Sequence, residues 1–214
     1  MTRARRGTNL KSLARARNLM ENASPFAPVH VKYRSLKKQY ASLKEPRDRL
    51  VESVRRRLLP LLIEQGFAVA PLVHRGPVDR EVVLSLPFGR LCRHREGGVD
   101  LVQIDFARYR RAAFRIMAGV APQEGLMTFT GHWAAEDVFV DWLDEYFVMY
   151  ACPWLRIWFS VWHWPHRSPV QADYEKLALR VARFVPEIEL VLRDGRLGPH
   201  MRRVVIPRHV PRNT

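Results

Sequence analysis

The 214 residues suffice for one domain of ordinary size, and a composition of 47% hydrophobic and 10% aromatic residues excludes wholesale disorder. No apolar run approaches the roughly 20 residues that a membrane-spanning helix requires. Two cysteines, Cys92 and Cys152, exclude a disulfide framework and a four-cysteine metal site. Because the N-terminus also lacks the apolar core of a secretion signal, we expect a cytoplasmic protein.

The net charge of +15 is concentrated at the two ends of the chain. Residues 1–50 hold 13 Lys+Arg and 3 Asp+Glu, residues 195–214 hold 5 Arg and no acid, and residues 51–194 hold 18 of each sign. This distribution argues against a basic groove within the domain. It favours basic arms that are attracted to polyanions over long distances.

The first predicted elements are helical. Residues 1–46 contain two basic amphipathic stretches, which predict a basic helical N-terminal extension. A helix over 47–66 follows, with an apolar stripe that packs onto a core and with Gly66 as its C-terminal cap. Pro60 predicts a kink in this helix near Arg56.

The period then changes from that of a helix to that of strands. Short strands are predicted at 81–86, 91–94, 99–106 and 113–120, and the short links between them predict antiparallel pairing. In the third of these strands, alternation places Val102, Ile104 and Phe106 on one face, and it places Leu101, Gln103 and Asp105 on the other. In the fourth, it places Arg115 and Met117 on the outward face.

The last third of the chain predicts a helix over 134–150, a strand over 154–164 and a helix that begins at Asp173 as its N-cap. Pro186 is expected to kink or end that last helix. The predicted fold class is therefore α+β, an antiparallel sheet packed by helices. The predicted organisation is an extension at 1–46, a domain at 47–195 and a basic C-terminal tail at 196–214.

The strand over 154–164 carries four of the six tryptophans on one face. A tryptophan ring can bury roughly 150–250 Å², so a surface of this kind calls for a covering layer. Either another part of the chain packs there, or the face is a partner surface built from Trp154, Arg156, Trp158 and Trp162. With a covering layer from the chain itself, we expect Trp158 and Trp162 to be mostly buried, and Leu155, Ile157 and Phe159 to be buried on the other face.

A resemblance rests on the helix end Leu58–Leu62 with Gly66 and Phe67, on the strands Val102–Phe106 and Phe114–Val120, and on the C-terminal helix. Over roughly residues 50–195, this pattern resembles a bacterial family of small domains of unknown function. The resemblance implies a helix, an antiparallel sheet and a closing helix, and it transfers no catalytic residue. Gln103 matches the polar residue that members usually carry near the end of the first of these strands. Residues 1–46 lie outside the resemblance.

No motif identifies a reaction or a cofactor, and His163 and His166 beside Cys152 do not give the converging ligands that zinc needs. We therefore expect a binding module rather than an enzyme, with basic tails that engage an acidic partner, nucleic acid first. The residues expected to bind nucleic acid are Arg3, Arg5, Arg6, Arg15, Arg17, Lys32, Lys37, Lys38, Arg202 and Arg203.

Two alternatives remain open at this point. One is a protein-interaction subunit, adaptor or neutralising, that uses the tryptophan-rich face. The other is a metal-dependent hydrolase built on Glu81, Asp100 and Asp105 with the neighbouring arginines. Asp100 and Asp105 are five residues apart on a strand, so they should point to opposite faces and not hold one ion.

Overall fold

A computed structural model of the chain describes residues 45–70, 72, 80–108, 112–128, 131–161 and 168–206. These residues form helices and antiparallel sheets, which confirms the predicted α+β class. Apart from residues 45 and 46, which lie in the first helix, the predicted N-terminal extension falls outside the described residues. None of the helices in the described ranges is long and apolar enough to cross a membrane.

The described helices are short and occur mostly in pairs. They are α1 (residues 45–57), α2 (Leu59–Glu64), α3 (Arg80–Ser85), α4 (Gln171–Ala182) and α5 (Val185–Asp194). Leu58 separates α1 from α2, because Pro60 in the first turn of α2 has no backbone N–H to donate. The predicted interruption is therefore present, two residues after Arg56.

Two helix ends follow from local chemistry. Gly66 ends α2 at a φ of +88°, and the N–H of Phe67 donates to the carbonyl of Leu62 at 3.1 Å, as in a Schellman cap. The sequence predicts Asp173 as the N-cap of α4, and this prediction is wrong. The helix begins at Gln171, and the Asp173 carboxylate accepts from the Val170 N–H at 3.0 Å.

The described strands are β1 (Ala68–Ala70), β2 (Arg90–Arg95), β3 (Gly98–Phe106), β4 (Ala113–Pro122), β5 (Leu126–Thr128), β6 (Gly131–Trp133), β7 (Glu145–Met149), β8 (Phe159–Ser160) and β9 (Met201–Val205). The main sheet has the order β1-β2-β3-β4-β7-β9, with β8 also on β4, and β5 pairs with β6 separately. Every pairing is antiparallel. The strands predicted at 91–94, 99–106 and 113–120 are confirmed.

Alternation along β3 and β4 sends side chains into two apolar clusters. Val102, Ile104 and Phe106 pack with α1, α2, α4 and α5 on one face of the sheet. Leu101 and Met117 pack on the other face with residues of the segment 126–143. Met117 is therefore buried and not outward, because the segment after β6 covers this second face.

The predicted helix at 134–150 is wrong. Two 3₁₀ turns, Ala135–Asp137 and Val140–Trp142, are separated by extended backbone and followed by β7. The turns let Val138 and Leu143 point onto β4, where Gly119 leaves room for the Leu143 side chain. The predicted strand at 81–86 is also wrong, since residues 81–85 lie in α3 and Leu86 follows its end. Over a run as short as Val82–Leu84, the spacing of apolar residues does not distinguish a helix from a strand.

Over residues 154–161, the predicted strand is wrong except at Phe159 and Ser160, and residues 162–164 of that prediction lie outside the described residues. These two residues pair with Phe114 and Ala113, while β7 occupies the next part of the same β4 edge at 116–118. The remaining edge of β4 is therefore too short for a long strand. Residues 152–157 instead form a tight loop.

The sheet continues beyond residue 195, where the sequence interpretation ended the domain. Residues 201–205 of the predicted C-terminal tail form β9, which pairs with β7 over five residues. Met201 is buried in the first apolar cluster. This part of the chain belongs to the packed domain.

Candidate functional site

A cavity of about 190 Å³ opens on the sheet face that carries the 3₁₀ turns. It lies between α3, the ends of β3 and β4, and the segment 139–142. The residues around it are Val82, Ser85, Leu86, Gln103, Asp105, Arg108, Arg115, Met117, Phe139, Asp141 and Trp142. Two carboxylates, two guanidinium groups and one amide thus share a space that is partly apolar.

Gln103 is the buried amide of this cavity. Its side chain is 1% exposed, and Oε1 accepts a hydrogen bond from the backbone N–H of Val140 at 3.2 Å. This bond fixes the amide in one orientation. Nε2 has no hydrogen-bond partner among the described residues.

Asp105 and Arg115 form an ion pair across β3 and β4, where the two residues are register partners. The Arg115 Nε and Nη2 atoms lie 2.9 and 2.8 Å from Asp105 Oδ2. Desolvation raises the pKa of Asp105 in spite of the guanidinium. Burial alone would lower the pKa of Arg115. The charge of Asp105 and the hydrogen bonds to Tyr150 and Asp105 have the larger combined effect, so the pKa of Arg115 is raised.

Asp141 is the second carboxyl group of the cavity. Its side chain retains contact with solvent, yet the surrounding protein still desolvates it enough to raise its pKa. Arg115 and Arg108 act in the opposite direction on the pKa of Asp141. The negative charge of Asp141 also contributes to raising the pKa of Asp105, so the two carboxyl groups are electrostatically coupled.

The apolar side of the cavity is aromatic. Phe139 and Trp142 have ring centroids 4.8 Å apart, and Trp142 meets Trp133 edge to face at 5.2 Å. Arg90 holds the chain just before Phe139 in place, because its buried guanidinium donates hydrogen bonds to the carboxylate and the backbone carbonyl of Asp137. Desolvation lowers the pKa of Arg90.

The residues proposed for a metal-dependent hydrolase do not come together. Asp100 is 1% exposed and pairs with Arg93 and Arg95, on the face opposite to Asp105. The side chain of Glu81 lies outside the described part. Within the described residues, no group of three or more His, Cys, Asp or Glu side chains could hold a metal ion.

The structure describes only some of the residues expected to bind nucleic acid or a partner, and these differ in exposure. Arg203 lies on β9 and pairs with Glu145 of β7, next to the partly buried Arg202. The other eight expected nucleic-acid residues lie outside the described residues, as does Trp162. Of the expected partner residues, Trp154 and Arg156 are exposed, while Trp158 is partly buried with its ring 4.6 Å from the Arg115 guanidinium.

The expected burial of the tryptophan-bearing segment is confirmed only in part. Phe159 is 2% exposed, as expected, but Leu155 and Ile157 are exposed. The reason is that these two residues lie in the loop and not on a strand face. The chain therefore does not provide one continuous tryptophan face at 154–158.

Comparison with known proteins adds no relative: no family model, no curated protein and no solved structure matches this chain.

Sequence reasoning placed Gln103 and Asp105 on the same strand face but missed the cavity. The sequence pattern predicts a helix at Asp141 and Trp142 and gives no sign that these residues approach β3. A usable signal is the set of polar residues on the sheet face opposite α1, α2, α4 and α5, where Gln103, Asp105 and Arg115 interrupt apolar strands.

Proposed function

We propose that the domain binds a small polar organic molecule in this cavity. The observation that carries the proposal is the buried Gln103 amide, whose Nε2 has no partner within the described part of the chain while Oε1 accepts from the Val140 N–H. An unpaired buried donor costs roughly 1–3 kcal/mol. A ligand acceptor that meets Nε2 removes this cost.

The lining defines the chemistry of the ligand. Asp105 and Asp141 accept hydrogen bonds when ionised, and Gln103 donates one. Because two carboxylates and two guanidinium groups surround the cavity, a neutral or zwitterionic ligand suits it better than an ion of high charge. Phe139 and Trp142 favour a flat apolar surface on that ligand.

The size of the cavity agrees with a small molecule. About 190 Å³ is far more than the roughly 10–15 Å³ that one water requires. It is less than the roughly 300–1,000 Å³ of pockets for drug-sized molecules. Free amino acids, monosaccharides and nucleosides are the compounds of matching size and polarity.

Thermal unfolding of the full-length protein with a panel of these compounds tests the proposal. A ligand at 100 times its Kd stabilises the folded state by about 2.7 kcal/mol, which raises Tm measurably. The variant Gln103→Glu keeps an acceptor for Val140 but replaces the free donor with an acceptor. We expect at least one compound to raise the Tm of the wild type and to lose this effect in Gln103→Glu.

The matched control is Gln123→Glu, which makes the same chemical change on an exposed turn. Its response to the compound should equal that of the wild type. If no compound raises the Tm of the wild type, or if Gln103→Glu responds as the wild type does, the proposal is wrong.

A second candidate function is the binding of a polyanion in the cytoplasm, and nucleic acid is the polyanion that we favour. It is supported by the charge distribution, since the described residues hold 19 Lys+Arg and 19 Asp+Glu. The entire net charge of +15 therefore belongs to the other residues, chiefly 1–44. Neutralised phosphates release counterions, so binding through these residues depends steeply on salt.

Replacing basic residues in the full-length chain tests this second function. The variant has glutamine in place of eight basic residues, which are Arg3, Arg5, Arg6, Arg15, Arg17, Lys32, Lys37 and Lys38. It should bind single-stranded RNA or DNA more weakly, and its affinity should depend less on the salt concentration. The control is Arg203→Gln, because that arginine already pairs with Glu145. Equal affinity and salt dependence before and after the eight replacements would contradict the candidate function.

A further inference from the structure

A tight loop presents apolar side chains to solvent. We define the Trp154 loop as residues 152–157. Its base is closed by the Ile157 N–H, which donates to the Cys152 carbonyl at 3.1 Å, and by the Ala151 N–H, which donates to the Ile157 carbonyl at 2.8 Å. The loop is therefore fixed at both sides of its base.

The most exposed apolar side chains of this loop lie at its tip. The Arg156 N–H donates to the Pro153 carbonyl at 3.3 Å, so Trp154 and Leu155 occupy the two central positions of a turn. Their side chains are 83% and 66% exposed. Ile157 adds a further 40% exposed apolar side chain at the base.

Arg156 adopts a left-handed conformation with a φ of +51°. It is the sole non-glycine residue with a positive φ in the described chain. Such a conformation costs of the order of 1–3 kcal/mol and persists where its surroundings impose it. The loop thus holds two large apolar side chains outward, with one arginine beside them.

The area of the tip favours a lipid surface over a folded protein partner. The largest of its three exposed apolar side chains, a tryptophan, can bury roughly 150–250 Å². A stable protein–protein interface buries about 800 Å² on each partner. A bilayer interface requires no matching surface, and tryptophan is enriched at that depth.

Charge complementarity identifies the kind of lipid. The chain carries a net charge of +15, and the Trp154 loop contains Arg156 and no acidic residue. Basic residues near an anionic leaflet contribute about 1 kcal/mol each. We propose that the Trp154 loop inserts into the interfacial region of an anionic lipid surface, to which the basic residues of the chain attract the protein.

Co-sedimentation of the full-length protein with vesicles tests this proposal. Vesicles of phosphatidylglycerol mixed with phosphatidylcholine should bind the protein, and pure phosphatidylcholine should bind much less. The double variant Trp154→Ser, Leu155→Ser should bind the anionic vesicles at least about tenfold more weakly. Lipids brominated near the headgroup should quench the fluorescence of the wild type more than that of Trp154→Phe.

The control is Met127→Ser, which removes another strongly exposed apolar side chain, on β5. Its vesicle binding should equal that of the wild type. Three results would overturn the proposal: equal binding by the double variant, which assigns adsorption to the basic residues alone; absence of vesicle binding by the wild type; or a wild-type dimer that the double variant converts to a monomer, which makes the loop a contact between copies.

Discussion

The Arg115 guanidinium lies between a carboxylate and an aromatic ring: it is paired with Asp105 and sits 4.6 Å from the centroid of Trp158. The pair lies on the two central strands and forms part of the cavity wall. Arg115 therefore links the proposed ligand site to the segment that carries the Trp154 loop. Its contribution to stability and to the charge of the cavity can be measured separately.

Arg115→Leu should destabilise the domain by about 2–4 kcal/mol, because Asp105 is left desolvated without its partner. The matched control is Arg203→Leu, which breaks an exposed pair with Glu145 and should cost less than about 1 kcal/mol. Urea unfolding at neutral pH measures both. Equal costs would show that Asp105 does not depend on Arg115.

Asp141→Asn should make the domain more stable at pH 7. The folded state raises the pKa of Asp141, so the folded protein binds the proton more readily and loses stability as the pH rises from about 4 through that raised value. Asparagine removes this loss. The gain over the wild type, measured by urea unfolding, should shrink from pH 7 to pH 4, and a gain independent of pH would contradict the account.

Phe114→Ala should cost about 3–5 kcal/mol. Phe114 is fully buried, and its ring contacts those of Phe106 and Phe159 at centroid distances of 5.6 and 5.4 Å. The exposed control Met127→Ala should change the free energy of unfolding by no more than about 0.5 kcal/mol. A cost for Phe114→Ala near that of the control would show that this aromatic row is not part of the stabilising core.

Ending the chain after residue 195 should abolish cooperative unfolding, whereas ending it after residue 206 should preserve it. The shorter chain loses β9, which covers the edge of β7 and contributes the buried Met201. Exposed strand edges also promote aggregation. Circular dichroism during thermal unfolding distinguishes the two chains, and cooperative folding of the shorter one would place the domain boundary at 195.

The sequence predicted the parts of the fold that depend on local periodicity. β3 and β4 alternate over nine and ten residues, and Gly66 and Pro60 mark helix ends through backbone constraints that need no tertiary contact. These features were therefore recognisable from single residues and short patterns.

The remaining elements depend on space that neighbouring elements leave. Phe159 and Ser160 pair with β4, but β7 takes the adjoining edge, so the part of the alternating run at 154–161 forms a strand only at these two residues. Helical spacing at 138, 142, 146 and 149 arises by coincidence from two 3₁₀ turns and a strand. The sequence does not predict the cavity, because Asp141 reaches it through these 3₁₀ turns and not from a helix.

The most direct test of ligand binding in the cavity is the side-chain amide signal of Gln103 in a ¹H–¹⁵N spectrum of the full-length protein. Gln103→Glu assigns the signal by its disappearance. When a compound that raises Tm is added, the account predicts a downfield shift of this signal, because Nε2 gains an acceptor, and an unchanged Gln123 amide. A Gln103 signal that stays in place while the compound binds would contradict the account.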